Sequence, residues 1–197
     1  MSEEKKAISQ PDEEKRPYEE CFSWLQTLVT VIVCIVLVFT FLGRITRVVG
    51  SSMTPTLRDG ELMLVWSLGY QPKQGDIVIA NKTTAETQEL LHGEAIVKRV
   101  IATGGQTVEI DYDNNQVYVD GEPLQEDYIL EEMLWPTWDY NMLETHFEVP
   151  EGSVFLMGDN RNGSTDSRHA GLGMVDEDYL LGKAVFTFFP FDRIGFI

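Results

Sequence analysis

Ser52 and Lys98 are the two residues whose types and surroundings could together break a covalent bond. Ser52 sits in Gly50-Ser51-Ser52-Met53-Thr54-Pro55-Thr56-Leu57, where Pro55 and Thr56 impose a turn. Lys98 sits in the apolar run EAIVKRVIA. In a strand, Lys98 shares a face with Ile96 and Val100, and Arg99 shares the other with Val97 and Ile101. Two adjacent cations in such a strand cannot both point to water. A lysine on a buried face gives up its proton more readily than a solvated one. It is then the base that a serine nucleophile needs where no histidine serves. Each residue also has a plainer reading. Ser51, Ser52 and Thr54 could simply solvate a loop, and the stems of Lys98 and Arg99 could snorkel from an edge strand. Composition alone leaves both open.

Other chemistries fit poorly. Asp111, Asp113, Asn115 and Glu122 have the spacing of a calcium loop, but Gln116 stands where its sharp turn needs glycine. The alternation Val117–Val119 instead predicts a hairpin turning at Asp113–Asn115. Placing Gly163 at the turn of GDNRNGSTDSR puts Gly158 and His169 at the outer ligand positions, and Gly158 has no ligand atom. His92, His146 and His169 match no zinc spacing. Neither a G-x-S-x-G elbow nor a phosphate-binding G-x-x-x-x-G-K-[ST] loop occurs. No metal and no cofactor is expected.

The elements that must position the pair are short strands. ELMLVW, DIVIA, EAIVKRVIA, TVEIDY, QVYVDG, SVFLMG and KAVFTFF are rich in Val, Ile and aromatics and are punctuated by Gly and Pro. No long amphipathic helical pattern follows residue 44, and the stretch Gln125–Glu148, with Trp135, Trp138 and many acids, reads as a loop or extended arm. Ahead of the strands, no charged residue lies between Glu20 and Arg44. The run from Trp24 to Leu42 would reach roughly 28 Å as a helix, close to the hydrocarbon thickness of a bilayer. We therefore expect three parts: a disordered acidic tail over 1–23, a single transmembrane anchor over 24–42, and a β domain over 44–197. No A-x-A-like site follows the apolar run, so it reads as an uncleaved anchor. Four Lys/Arg precede the span and three follow closely, so the positive-inside rule does not orient it.

The chain has 197 residues and a formal net charge of −17. Residues 44–197 carry 11 Lys+Arg and 25 Asp+Glu. That balance excludes a nucleic-acid partner, which would need a basic face, and an electrostatic membrane-surface binder. Cys21 and Cys34 cannot build a disulfide scaffold.

Several of these segments resemble the sequence boxes of type I signal peptidases. Gly50–Leu57 resembles the nucleophile box, Gln74-Gly75-Asp76-Ile77-Val78 a G-D-I/V-V strand, and Val97-Lys98-Arg99-Val100-Ile101 the box of the general-base lysine. Gly158-Asp159-Asn160-Arg161-Asn162-Gly163-Ser164-Thr165-Asp166-Ser167-Arg168 resembles G-D-N-x-x-x-S-x-D-S-R, and Leu181-Gly182-Lys183-Ala184 with Pro190 the closing strand. The boxes follow the family's order and span nearly all of residues 44–197.

The resemblance implies a mainly antiparallel β domain of the signal-peptidase type behind one N-terminal transmembrane helix. It also implies a membrane-bound serine endopeptidase that removes signal peptides from exported preproteins, with the tail over 1–23 cytoplasmic and the catalytic β domain over 44–197 extracytoplasmic. Ser52 would be the nucleophile and Lys98 the general base. Ser164 would hydrogen-bond the lysine amine, Asp166 and Arg168 would form a supporting ion pair, and Asp159 with Asn160 would shape their loop. Gly50 stands where Gram-negative members carry a serine serving the oxyanion, a Gram-positive feature, so the oxyanion would rest on backbone N–H groups, Ser52's own among them. Substrates would have small residues at the first and third positions before the cut. They would lie as an extended strand along the DIVIA or IVKRV edge. Met53 and Leu62–Trp66 could dip into the lipid interface.

The dyad also has to work near neutral pH. Lowering a lysine from near 10.4 to roughly 8 takes about 2–3 units, within the reach of desolvation, provided Arg168 neutralises Asp166. Three rival readings differ in activity. A self-cleaving repressor-type peptidase lacks its DNA-binding half here. A membrane-anchored binding or pilus-assembly module without catalysis should have lost Ser52 or Lys98. A specialised pilin-processing peptidase shares the site.

Overall fold

In a computed structural model the described residues are 17–41, 43–137 and 139–197. The chain divides into two units, Met1–Phe39 and Thr40–Ile197. The first contains all but the last two residues of α1 (Pro17–Phe41). The tail expected over 1–23 therefore gives way to helix seven residues early, and its residues 1–16, like Leu42 and Trp138, lie outside the described residues. Side chains of α1 are described over 21–37, and all are exposed. Among the described residues no helix is long and apolar enough to cross a membrane.

The second unit is mainly antiparallel β. Its strands are β1 (Gly43–Arg47), β2 (Leu62–Trp66), β3 (Ile77–Ala80), β4 (Ile96–Thr103), β5 (Thr107–Asp111) and β6 (Gln116–Val119). They continue with β7 (Glu122–Pro123), β8 (His146–Glu148), β9 (Ser153–Met157), β10 (Val175–Asp176), β11 (Leu180–Phe189) and β12 (Gly195–Phe196). One sheet has the order β1-β2-β11-β3-β4-β9-β10, with β12 on β11, and the other β7-β6-β5-β8. All seven expected strands form. The β5–β6 hairpin turns through residues 112–115, with Asn115 at φ 54°. Short polar β1, two-residue β7, β10 and β12, and β8 at the end of the acidic arm lack a period-2 apolar signal.

One helix was not expected. α2 (Ala85–Leu91) links β3 to β4 and is capped by Thr84, whose side chain accepts from the Thr87 amide while the Thr87 hydroxyl accepts from the Thr84 amide. The cue was Thr84 ahead of a segment without Gly or Pro; at seven residues it is too short to show an apolar stripe.

Apolar clusters pack around the central strands. Val48, Met53, Leu57, Met63, Val65, Ile77 and Ile79 form a cluster that includes the turn after Ser52. Val78, Val100, Leu156 and Leu172 belong to another. A third packs β5 and β6 against Ile101, Phe155 and Met157. Met53 is 1% exposed, and Met63 and Val65 are also buried, so of the residues expected at a lipid interface only Trp66 is exposed. Anchoring the turn by Met53 and Leu57 fixes where Ser52 stands.

Candidate active site

The turn that carries Ser52 is closed by Thr54 N donating to Ser51 O and Leu57 N donating to Met53 O. Gly50 enters it at φ +86°, a conformation that glycine adopts without strain, and its amide donates to Asp59 Oδ1 at 2.9 Å. Ser52 is half-buried and Ser51 exposed. Lys98 projects from β4, which is an interior strand: Val78 pairs with Lys98 on one side, and β9 joins the other side from Arg99 onward. This removes the edge-strand alternative over most of β4. β3 is paired on both sides, by β4 and β11, so the DIVIA segment offers no free edge, whereas residues 96–98 are paired on one side alone.

Residues 46 positions apart in the chain meet here. Lys98 Nζ lies 2.7 Å from Ser52 Oγ and donates to its neighbour's carbonyl, Val97 O, at 3.1 Å. Lys98 is 4% exposed. Burial disfavours its charged form and lowers its pKa from 10.5 to about 8; Asp166 and Asp159 pull it up and Arg168 pushes it down. A lysine so placed has a substantial neutral fraction near pH 8 and can take a proton from an adjacent hydroxyl.

The loop after β9 supports both residues. Asn160 N donates to Ser52 O at 3.0 Å, and the Asn160 side chain bonds Ser51 O and caps the following 3-10 turn through Gly163 N. Gly158 is where the two loops touch: a Cβ there would stand 2.5 Å from Ser52 O and 2.3 Å from Ser164 Oγ. Asp166, fully buried, receives Arg168 Nε at 2.8 Å and Nη2 at 2.9 Å, and the Gly158 amide at 3.0 Å. Burial alone would raise this carboxyl, but the charge and hydrogen bonds of Arg168 hold it below the usual carboxylate range. Ser164 is buried beside Gly158, yet its hydroxyl has no hydrogen-bond partner among the described residues, Lys98 included.

The role of Arg99 was not legible in the sequence. It grips buried Asp159 through Nε at 2.8 Å and Nη2 at 2.7 Å, and Thr56 in the Ser52 turn donates to the same carboxylate. Tyr128 lies 3.9 Å from the Arg99 guanidinium, ring centroid to carbon, its hydroxyl donating to Glu126, which ion-pairs with buried Arg161. Leu130 N donates to Asp159 O. The stretch Gln125–Glu148 is thus largely the expected arm, ending in β8, and its first residues clasp the loop of Asp159. The available signal was Arg161 inside the GDN box: an arginine there, once buried, needs a carboxylate, and the arm is acid-rich.

Ser52 and Lys98 line a cleft of about 460 Å³. Val49, Ile79, Ile96 and Val97 supply apolar wall, and Leu90, Leu91 and His92 also line it.

Comparison with known proteins gives this geometry a family. The model of "Signal peptidase, peptidase S26" matches residues 21–189. This chain belongs to that family. Among curated proteins it is 40% identical over 172 residues to "Probable signal peptidase I-1" of Synechocystis sp., covering 85% of this chain and 82% of the relative. It is 35% identical over 201 residues to "Signal peptidase I" of Bacillus amyloliquefaciens, covering 97% and 96%. A crystal structure of a signal peptidase I from Enterococcus faecalis is 26% identical, covers 58% of this chain and 97% of its own, and superposes with a TM-score of 0.42. Membership makes the chain a serine peptidase of the hydrolase class with a mainly antiparallel β fold. The relatives lend no support to a pilin-processing role.

Proposed function

We propose that the protein cleaves signal peptides from exported preproteins with Ser52 as nucleophile and neutral Lys98 as general base. The observation that carries this is the 2.7 Å contact between Lys98 Nζ and Ser52 Oγ in a site dry enough to bring the lysine to about 8. In the neutral form, Lys98 accepts the Ser52 proton with its lone pair as Oγ attacks the scissile carbonyl. It then returns that proton to the leaving amine, and a water activated by the same amine releases the acyl-enzyme. A neutral amine keeps two donors. One serves Val97 O, and the second is left for Ser164 Oγ, whose buried hydroxyl is unpartnered in the resting structure and would take it up by a small shift when Lys98 turns its lone pair to Ser52. Asp166 and Arg168 act as a closed ion pair that spares Lys98 a counterion, and Asp159 with Asn160 fixes the loop. The Gly50 amide is engaged by Asp59, so the oxyanion draws on the amide of Ser52, which has no hydrogen-bond partner among the described residues.

The substrate lies extended along the one-sided segment 96–98, with small side chains at the first and third positions before the cut facing the apolar cleft wall. Residues 24–42 cross the plasma membrane once, with 1–23 cytoplasmic and 44–197 extracytoplasmic. Support comes from the absence of charge between Glu20 and Arg44 and from exposed apolar side chains along α1. Trp66, Leu68, Phe189, Phe191 and Phe196 are exposed on the β unit and suit contact with lipid.

The test is incubation of the detergent-solubilised protein with a preprotein and location of the cut by mass spectrometry. A single cut after a small residue, absent with Ser52→Ala but retained with Ser51→Ala, is expected; cleavage by the Ser52→Ala protein overturns the assignment. Protease added to spheroplasts should digest the β unit and spare residues 1–23.

A further inference from the structure

Beyond the dyad, one half-buried ion pair grips the Ser52 turn from outside the family boxes. Arg193, in the 3-10 turn Phe191–Arg193 between β11 and β12, pairs through Nε with Glu61. Glu61 is 2% exposed, and among the described residues Arg193 is its one side-chain partner. The free end of the guanidinium reaches further. Nη2 donates to Thr56 O at 2.9 Å and lies 3.3 Å from Pro55 O. Those carbonyls close the turn that begins at Ser52. The chain around Glu61 is tied to the start of the same turn, since Val48 N donates to Glu61 O and Gly60 N to Val48 O.

Such an arrangement suits positioning rather than chemistry. Arg193 touches neither Ser52 nor Lys98, and a buried carboxylate is a costly way to hold a surface turn unless the geometry it fixes matters. The planar guanidinium ion-pairs with a carboxylate at Nε, without a hydrogen bond to it, and donates to carbonyls at Nη2, two contacts on one rigid group that an ammonium cannot reproduce. The turn thereby has two anchors at Thr56: its hydroxyl held by Asp159, its carbonyl by Arg193.

We infer that Arg193, oriented by Glu61, is a positioning residue that clamps the Pro55–Thr56 carbonyls and so sets the attack geometry of Ser52. The inference rests on Ser52 being the nucleophile. Without the clamp, the Ser52 hydroxyl and amide sample misaligned positions relative to a bound carbonyl, while the cleft that binds substrate and the burial of Lys98 are unchanged. The signature is a fall in kcat with KM retained and with the acid limb of the pH profile in place.

The experiment uses the full chain in detergent with a preprotein substrate. Arg193→Lys keeps a cation opposite Glu61 but loses the fork; Glu61→Gln/Arg193→Gln removes the clamp without leaving a buried charge; Glu61→Gln alone keeps the guanidinium but removes the charge that orients it. Rates are normalised to folded protein by circular dichroism. We expect kcat to fall on the order of tenfold or more in the first two and by a smaller factor in Glu61→Gln, KM to stay within about twofold, and the acid limb to stay near that of the wild type. Wild-type kcat per folded molecule in both clamp variants overturns the inference, as does a shifted acid limb, which would place the effect on Lys98. Failure of either clamp variant to fold, with the other at wild-type kcat, also overturns it. Ser52→Ala run alongside separates the two readings: an active Ser52→Ala enzyme defeats the Ser/Lys assignment, and an inactive one with fully active clamp variants defeats only the clamp.

Discussion

Lys98 and Arg99 are neighbours on one interior strand, and their surroundings differ in one respect. Arg99 is answered by a carboxylate, Asp159, held bidentately. Lys98 is answered by a hydroxyl and a carbonyl and makes no ion pair among the described residues. Its nearest acids are engaged elsewhere, Asp166 by Arg168 and Asp159 by Arg99. Burial by itself therefore does not make a base. It becomes chemically useful where the counterion is withheld, because only then does desolvation outweigh Coulomb attraction and bring the amine to about 8. The surrounding arginine–carboxylate pairs keep negative charge close enough to satisfy the loops and too occupied to stabilise an ammonium.

The contrast can be broken most severely at the lysine. Lys98→Arg should lose about 10³-fold or more in kcat, because a guanidinium stays protonated and cannot serve as base. Preprotein turnover, with circular dichroism to show a folded chain, checks this, and appreciable activity would return Lys98 to a structural role. Next comes Asp166→Asn, which strands Arg168 in the interior. It should destabilise the protein by about 3–5 kcal/mol in urea unfolding. In whatever fraction remains folded, the acid limb should lie below that of the wild type, since a group that raises the Lys98 pKa has gone.

A third variant should move stability the other way. Lys98→Met removes an amine whose lowered pKa, from 10.5 to about 8, corresponds to about 3 kcal/mol at neutral pH. Between those two values the unfolded chain binds a proton that the folded chain does not, so wild-type stability rises with pH through that window. The advantage of the Met variant should be greatest below pH 8 and gone near 10.5. Urea midpoints at pH 7, 8, 9 and 10 measure it, and a variant less stable than wild type at pH 7 would show that Lys98 is not strained. The smallest effect belongs to Arg99→Lys, which keeps the charge opposite Asp159 but gives up the fork and the stacking on Tyr128. A loss of about 1–2 kcal/mol is expected in the same assay, with cleavage far less affected than in Lys98→Arg.

The residues that carry the chemistry could be read from the chain because each demands a local pattern. Lys98 stood out as a cation inside Ile96–Val100, Ser52 as a hydroxyl in a Pro-Thr turn, and GDNRNGSTDSR as a box too polar and too ordered to be a linker. The seven strands announced themselves by β-branched and aromatic runs bounded by glycine and proline. What stayed hidden was pairing across distance. Nothing local tells that Arg161 finds Glu126, that Arg99 rather than water receives Asp159, or that Glu61 is closed by Arg193. Nor does periodicity separate an edge strand from an interior one when the apolar run is short, so β3 could pass for a free substrate edge until β11 was seen beside it. Amino-acid order thus determined which groups are capable of reacting and which segments extend. The tertiary structure alone decided which charges meet, and through that left Lys98 dry and, among the described residues, without a counterion, because desolvation and ion pairing are set by packing in three dimensions rather than by sequence neighbours.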